Sequence, residues 1–284
     1  GGNSIGGATV YDPSRLPVEN DVIVVPIQYR LGSLGWLRHP ALRPTARDAA
    51  DASGNFGTLD SIRALEWVRD NISAFGGDPN NVTIFGESAG GMNVFALLLS
   101  PPAKGLFHRA IAQSGNAVVF TKEDAEKYAD DSSQHLIGSN EILLRYVLKD
   151  GRATDRATAK AVVSAMSNAE TETYLRSKSQ DELLDIFEDS IGGGMYFIPQ
   201  LFRDGEVIVD LDPSEAFATA GKHNAVPTIA GSNREETKLF SLMMSPYVSH
   251  FAGIPTGVND QRGFDLEGDR KSTRLNSSHS ELSY

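Results

Sequence analysis

Residues 81–93 read NVTIFGESAGGMN, and this stretch decides the fold of the chain. Residues 82–85 are an apolar, β-branched run with the length of one buried strand. Residues 86–90 then form a G-x-S-x-G pattern, and apolar residues recur at helical spacing until the Pro-Pro pair at 101–102. A strand, a sharp turn and a helix around this pattern predict a nucleophile elbow that presents the hydroxyl of Ser88 above the sheet edge. The alternative, a glycine-rich loop with an incidental serine, is disfavoured by the two flanking elements.

Further strands and helices alternate on either side of this stretch. The apolar run at 21–29 predicts a buried parallel strand, although Pro26 is awkward in a central strand. A helix is predicted to begin at Thr58 as its N-cap, and short apolar runs at 110–112 and 226–230 predict two more strands, of which the second is the last. Alternation of this kind predicts an α/β protein with a mainly parallel sheet.

Two segments depart from the alternating pattern. Residues 122–190 are charged, rich in Ala, Leu, Lys and Glu, and periodic as helices, which predicts an inserted helical subdomain or cap. Residues 269–279 read DRKSTRLNSSH, which is similar codon by codon to a translated sequencing-library adapter. We therefore expect residues 269–284 to be an artefactual tail and residues 1–268 to be part of one α/β domain.

Composition excludes several classes of function. The chain has 284 residues, of which 40% are hydrophobic, and a formal net charge of -11, which argues against nucleic acid or an anionic membrane surface as partner. No apolar run is long enough for a transmembrane segment. The absence of cysteine excludes disulfides and thiol catalysis, and no His/Asp/Glu cluster has ligand spacing, so neither a metal nor another cofactor is predicted. Compartment and oligomeric state are left open.

Three features are predicted to meet at the carboxyl edge of the sheet, where open α/β sheets bind ligands. They are the glycine-dense loop at residues 1–7, Ser88, and the acidic pair at 235–236. A hydrolytic serine requires a base and a carboxylate that orients the base, and in this fold the acid follows the serine along the chain. The glycine loop lacks the Lys-Ser/Thr of a P-loop. The acidic pair has the alternative interpretation of a favourable helix N-terminus.

Several motifs give the chain a wider resemblance. They are YRLGSLGWL at 29–37, GNFGTLDSIRALEWVRDNISAFGGDPNNVTIFGESAGG at 54–91, GLFHRAIAQSG at 105–115 and GSNREETKLF at 231–240. In these motifs, and across most of residues 1–268, the sequence resembles the type-B carboxylesterases, the cholinesterase-like branch of the α/β-hydrolases. The resemblance implies the α/β-hydrolase fold, here with a helical insertion and truncated at both ends.

The resemblance also implies roles for individual residues. Ser88 matches the nucleophile, and Glu236 rather than Glu235 matches the acid of the triad. Glu87, beside the nucleophile, is expected to shape the electrostatics of the pocket without belonging to the triad.

The oxyanion hole implied by the resemblance consists of the backbone N–H groups of Gly1, Gly2 and Ala89. Asn3 and Ser61 depart from the commoner residues of the family, and the disulfides of its animal members are absent.

The resemblance requires a histidine base after the acid, and the sequence offers no good candidate. Only His250 and His279 follow Glu236; the first is too close to the acid and the second lies in the adapter-like tail. The remaining histidines are interpreted as loop or surface residues: His39, His108, His135 and His223. We therefore expect an internal fragment of a longer protein, lacking the catalytic histidine and nearly inactive by itself.

The predicted function is that of a serine esterase that hydrolyses small-molecule carboxylic esters through an acyl-enzyme on Ser88. A non-catalytic adhesion or binding module on the same fold is the alternative, although such relatives typically lose the nucleophile. A hydrolase of the hormone-sensitive-lipase-like branch is disfavoured by the GESAGG elbow and by the GNFG…FGGDP run that precedes it.

Overall fold

In the computed structural model of the chain, the described residues are 1–7, 12–131, 136–187, 195–196, 198–236, 248–251 and 254–258. Their α-helices are α1 (Arg15–Asn20), α2 (Gly32–Gly35), α3 (Phe56–Asn71), α4 (Ala89–Leu98), α5 (Lys122–Glu126), α6 (Ser139–Lys149), α7 (Arg156–Ala165), α8 (Asn168–Arg176), α9 (Gln180–Leu184) and α10 (Pro213–Ala218). Their strands are β1 (Thr83–Glu87), β2 (Arg109–Gln113), β3 (Thr228–Gly231), β4 (Val248–Phe251) and β5 (Ile254–Val258).

A parallel sheet in the order β1-β2-β3 confirms the predicted α/β architecture. Since the three strands run in the same direction, their carboxyl ends lie at one edge. One face carries Ile84 of β1 and its partner Ala110 of β2, and both are buried where α4 packs on the two strands. On the other face, Phe85 and Ile229 flank Ile111 and are 54% and 67% exposed.

The predicted strand at 21–29 is wrong. Residues 22–30 have no regular secondary structure, and Val22 and Ile23 are more than 40% exposed. A strand is stabilised by ladder hydrogen bonds to a neighbour, and Pro26 in addition lacks the N–H that a ladder requires. An apolar, β-branched run therefore predicts a strand only where the fold also supplies a partner, and no described strand pairs with this run.

Helix α3 buries the apolar stripe that its periodicity predicts, with Ile62, Leu65 and Val68 in the core. Its beginning differs from the prediction, since the helix starts at Phe56 and Thr58 lies inside the first turn. Asn55 precedes the helix, yet its side chain bonds to the backbone of a distant residue instead of the first turn.

The segment from α5 to α9 contains five α-helices and no strand among its described residues, and it contains an apolar cluster of its own. The buried members of this cluster include Ile142, Leu143, Tyr146, Val147 and Leu175. Reciprocal side-chain caps start α7, α8 and α9, since Asp155, Ser167 and Ser179 each accept a hydrogen bond from the third residue of the helix. A separate subdomain for this segment stays a prediction.

The chain divides into two compact units. The first comprises Gly1–Glu188 and Tyr196–Gly231, and the second Asp189–Met195 and Ser232–Tyr284. Strands β4 and β5 form an antiparallel pair within the second unit, so the prediction that the run at 226–230 is the last strand is wrong. The adapter-like tail at 269–284 lies outside the described residues. Among the helices that the structure describes, none is long and apolar enough to cross a membrane.

Candidate active site

Ser88 occupies the single position between the end of β1 and the start of α4. Its backbone lies at φ 55° and ψ -117°, a conformation that non-glycine residues rarely adopt. Such a conformation costs free energy and persists only where the surroundings hold it. Ser88 is half-buried, and the turn therefore keeps its side chain near the carboxyl edge of the sheet.

Glycines permit this turn by close approach of backbone to backbone. A Cβ on Gly86 would lie 2.4 Å from the carbonyl carbon of Gly90, whereas a Cβ on Gly90 would meet no atom within 4 Å. A Cβ on Gly115, just beyond β2, would lie 2.5 Å from the carbonyl carbon of Gly91. Helix α4 can therefore lie against the strand ends only because Gly86 and Gly115 lack side chains.

Backbone hydrogen bonds tie the turn to its neighbours. The N–H of Ser88 donates to the carbonyl of Gln113 at the end of β2 (2.9 Å), and the N–H of Met92 donates to the carbonyl of Ser88 (3.0 Å). The N–H of Ala89, in the first turn of α4, has no carbonyl of its own helix to bond, since the first N–H groups of any helix lack one. The start of α4 thus presents an amide and the positive end of a helix dipole beside Ser88.

The glycine loop forms a tight turn next to this region. The N–H groups of Ser4 and Ile5 both donate to the carbonyl of Gly1 at 3.2 Å, and Gly2 has a φ of 61°. The Gly1 nitrogen donates to the carbonyl of Ile5 (2.7 Å). The Gly1 nitrogen interacts electrostatically with the carboxylate of Glu87. The loop and the carboxyl end of β1 are therefore electrostatic neighbours.

Side chains from distant segments hold the loop through Asn3, which is 1% exposed. The amides of Asn3 and Asn93, the latter in α4, bond reciprocally at 2.9 and 3.2 Å. The amide nitrogen of Asn3 also donates to Gln200 Oε1 (2.9 Å), and Gln200 Nε2 donates to the carbonyl of Gly2 (3.0 Å). The hydroxyl of Tyr29 donates to Asn3 Oδ1 (3.3 Å). We call Asn3, Asn93, Gln200 and Tyr29 the amide clamp.

The amide clamp is absent from the sequence-based prediction. The only sign of it in the sequence is Asn3, which stands where the carboxylesterases more commonly have another residue. Nothing in the local pattern around Gln200 places it beside Gly2, because the two residues are 198 positions apart.

Glu236 lies after the carboxyl end of β3 and belongs to the second unit. It is half-buried, and its Oε1 accepts a hydrogen bond from the N–H of Asn233 (2.7 Å), so its carboxylate closes a short turn. Glu235 is exposed. The other predicted site residues, Ser88 among them, belong to the first unit.

Each histidine side chain that the structure describes has a hydrogen-bond partner outside the predicted site. The imidazole of His39 accepts the N–H of Ala41 at Nδ1 (3.1 Å), which leaves Nε2 to donate to Asn140 Oδ1 (3.2 Å). Burial lowers the pKa of His39. His108 accepts from the N–H of Val82, and the ring of His223 lies 3.1 Å from the carbonyl of Ala216.

His39 lies in the loop that follows α2, and it is buried (7% exposed). His250 lies in β4, while His135 and His279 fall outside the described residues. Within the described part of the chain, no three His, Asp or Glu side chains are grouped so that they share a metal ion.

The fold and the strand–serine–helix turn define an α/β-hydrolase, and comparison with known proteins agrees. The family model described as "Carboxylesterase family" matches residues 1–265. The para-nitrobenzyl esterase of Bacillus subtilis is 37% identical over 235 residues, which are 83% of this chain and 41% of that protein. Carboxylesterase 1D of Rattus norvegicus is 38% identical over 252 residues, covering 83% of this chain and 38% of the relative.

Solved structures agree with the sequence comparison. A structure of a PNB esterase matches 84% of this chain and 45% of its own, with a TM-score of 0.61 and 32% identity. The carboxylesterase of Geobacillus stearothermophilus matches 85% of this chain and 45% of its own, also with a TM-score of 0.61 and 32% identity. The chain belongs to the carboxylesterase family, and it spans less than half the length of these relatives.

Proposed function

We propose that the protein hydrolyses small-molecule carboxylic esters with Ser88 as nucleophile. The Ser88 oxygen bonds to the carbonyl carbon, the alcohol leaves with a proton, and water then releases the acid from the acyl-enzyme. One observation carries the proposal: Ser88 adopts φ 55° between β1 and α4, in a turn that Gly86 makes possible. Membership of the carboxylesterase family supports the same chemistry.

The oxyanion that develops during acyl transfer is proposed to bind the backbone N–H groups of Gly1, Gly2 and Ala89. The first-turn position of Ala89 supports its part, because that amide has no acceptor within its own helix. The link between Asn3 and Asn93 supports the part of the glycine loop, because it ties the loop to α4. Loss of one such donor typically costs about 3 kcal/mol of transition-state stabilisation.

Glu236 is proposed as the acid of the triad, and Glu87 as a charge that shapes the pocket. The electrostatic interaction between Glu87 and the Gly1 nitrogen supports the second role, since Glu87 places negative charge beside the proposed oxyanion site. The base is proposed to be a histidine that this chain lacks. Turnover by this chain is therefore expected to be close to the background rate, since a serine without a base is a weak nucleophile.

Mass spectrometry with an activated aryl ester and added imidazole as external base tests the nucleophile. We expect one acyl group on Ser88 of the parent and none on the Ser88→Ala variant. Ser73→Ala, which alters an exposed serine just after α3, is the matched control and is expected to acylate like the parent. Equal acylation of parent and Ser88→Ala would refute the proposed nucleophile. Rapid Ser88-dependent turnover without imidazole would instead refute the proposal that this chain lacks its catalytic base.

A further inference from the structure

Gln200 joins two parts of the glycine loop with one side chain. It is 4% exposed, accepts from the Asn3 amide and donates to the Gly2 carbonyl, both within 3.0 Å. It reaches the loop from the segment that follows Tyr196, far from it in sequence. Both ends of its amide are therefore committed to the loop.

A loop of glycines requires such support from outside. Gly1 and Gly2 have no side chains that pack or bond, and glycine loses more conformational freedom on ordering than any other residue. Donors to an oxyanion must nevertheless be oriented before the charge develops, and small displacements cost large factors in rate. A hydrogen bond to the carbonyl of Gly2 fixes the plane of the peptide that joins Gly2 to Asn3, and with it the backbone on either side.

We propose that Gln200 is a positioning residue that orients the Gly1–Gly2 backbone toward the oxygen bound at Ser88. It acts through the Gly2 carbonyl and through Asn3, whose amide is also held by Asn93 of α4. Gln200 itself does not touch the substrate. The proposal rests on the proposed function, because it assigns Gln200 to the oxyanion hole of that reaction.

The competing explanation is that Gln200 only satisfies buried polar groups, which would make it a stability residue. The two explanations differ in which reactions they affect. Loss of a stability residue lowers the rates of all reactions of Ser88 by the same factor. Loss of a positioning residue mainly slows the reactions of reagents that place an oxygen in the oxyanion hole. Sulfur is a weak hydrogen-bond acceptor, so a P=S reagent gains much less from the same donors than its P=O counterpart.

The experiment measures labelling of Ser88 by a dialkyl phosphoryl fluoride and by its thiophosphoryl analogue. In both reactions the Ser88 oxygen bonds to phosphorus, fluoride leaves, and added imidazole takes the hydroxyl proton. Peptide mass spectrometry gives the two rates, and imidazole-catalysed reaction with a simple alcohol gives the ratio without a protein. We expect the oxo/thio ratio of the parent to exceed the solution ratio by tenfold or more, about the effect of preorganised donors.

Gln200→Met keeps the approximate size of the side chain and removes both hydrogen bonds. We expect its oxo/thio ratio to fall about tenfold toward the solution value. Gln180→Met, at an exposed glutamine of α9, is the matched control and is expected to keep the ratio of the parent.

Gln200→Glu gives a second test if the methionine variant does not fold. An ionised carboxylate has no hydrogen to donate to Gly2, whereas the protonated form has one, and burial raises the pKa of such a group. The ratio should therefore be low at high pH and recover as the pH falls.

The outcomes separate the two proposals. An unchanged ratio in Gln200→Met, or a ratio in Gln200→Glu that does not respond to pH, would overturn the role of Gln200 while leaving Ser88 as nucleophile. No labelling of Ser88 in the parent would overturn the proposed function, and this inference with it.

Discussion

The serine turn and the glycine loop are proposed to serve one reaction, yet the protein holds them by different means. The turn is held by backbone: Gly86 and Gly90 are in close approach, and the Ser88 N–H bonds to the end of β2. The loop is held by the amide clamp, whose side chains come from three other segments. An unusual backbone conformation can thus be stabilised either by backbone contacts between packed elements or by distant side chains, and the two cases respond differently to mutation.

Gly86→Ala is expected to give the largest loss of stability. Its Cβ would meet backbone atoms of Gly90, which cannot rotate away, so either β1 or α4 must shift at a cost of about 3 kcal/mol. Gly90→Ala is the control, since its Cβ meets open space and alanine favours a helix. Urea denaturation measures both free energies of unfolding. Equal losses in the two variants would mean that close backbone approach does not hold the turn.

Asn93→Leu tests the loop and is expected to cost about 2 kcal/mol, because it leaves the buried Asn3 amide partly unsatisfied. Hydrogen exchange should speed up at residues 2–5 and stay unchanged at 88–92. Asn71→Leu, at an exposed asparagine that ends α3, should change the stability by less than about 0.5 kcal/mol. Faster exchange at 88–92 as well would show that the turn and the loop are held as one unit.

His39 extends the comparison, because like the loop it depends on a distant partner, Asn140. Burial lowers its pKa in the folded protein, so below about pH 6.5 the unfolded chain binds the proton more readily. The stabilising contribution is complete above that pH and is lost as the pH falls through the folded pKa. The free energy of unfolding should therefore decline from pH 7 to pH 5, with a shallower slope in His39→Gln. A slope in His39→Gln equal to that of the parent would mean that His39 does not cause the decline.

Phe85→Thr is expected to have the smallest effect, within about 0.5 kcal/mol. Gly86 of β1 lies against α4, and successive residues of a strand point to opposite faces. Phe85 therefore points away from α4, and it is 54% exposed. Ile84→Thr on the same strand removes a buried side chain and should cost more than 1 kcal/mol. Thermal denaturation compares the two variants. A large loss from Phe85→Thr would show that the turn also depends on the outer face of the sheet.

The sequence-based predictions were correct for features that local periodicity sets and wrong for features that depend on a distant partner. The strand and the helix around Ser88 and the buried stripe of α3 were predictable, because apolar periodicity records which side of an element faces the core. The predictions failed where a partner decided the outcome. Residues 21–29 look like a strand but have no described neighbour to pair with. Thr58 looks like an N-cap but lies inside a helix that starts earlier, and Asn55 before that helix bonds to Phe202 instead.

The sequence alone determined the alternation of strands and helices and the strand, serine and helix of the turn, since each depends on residues that are close along the chain. From that alternation it also predicted the parallel sheet. Only the tertiary structure decided how the glycine loop is held. The bond between Asn3 and Gln200 joins residues 197 positions apart. Hydrogen bonds between remote side chains form when packing brings their segments together, and no local pattern records which segments will meet.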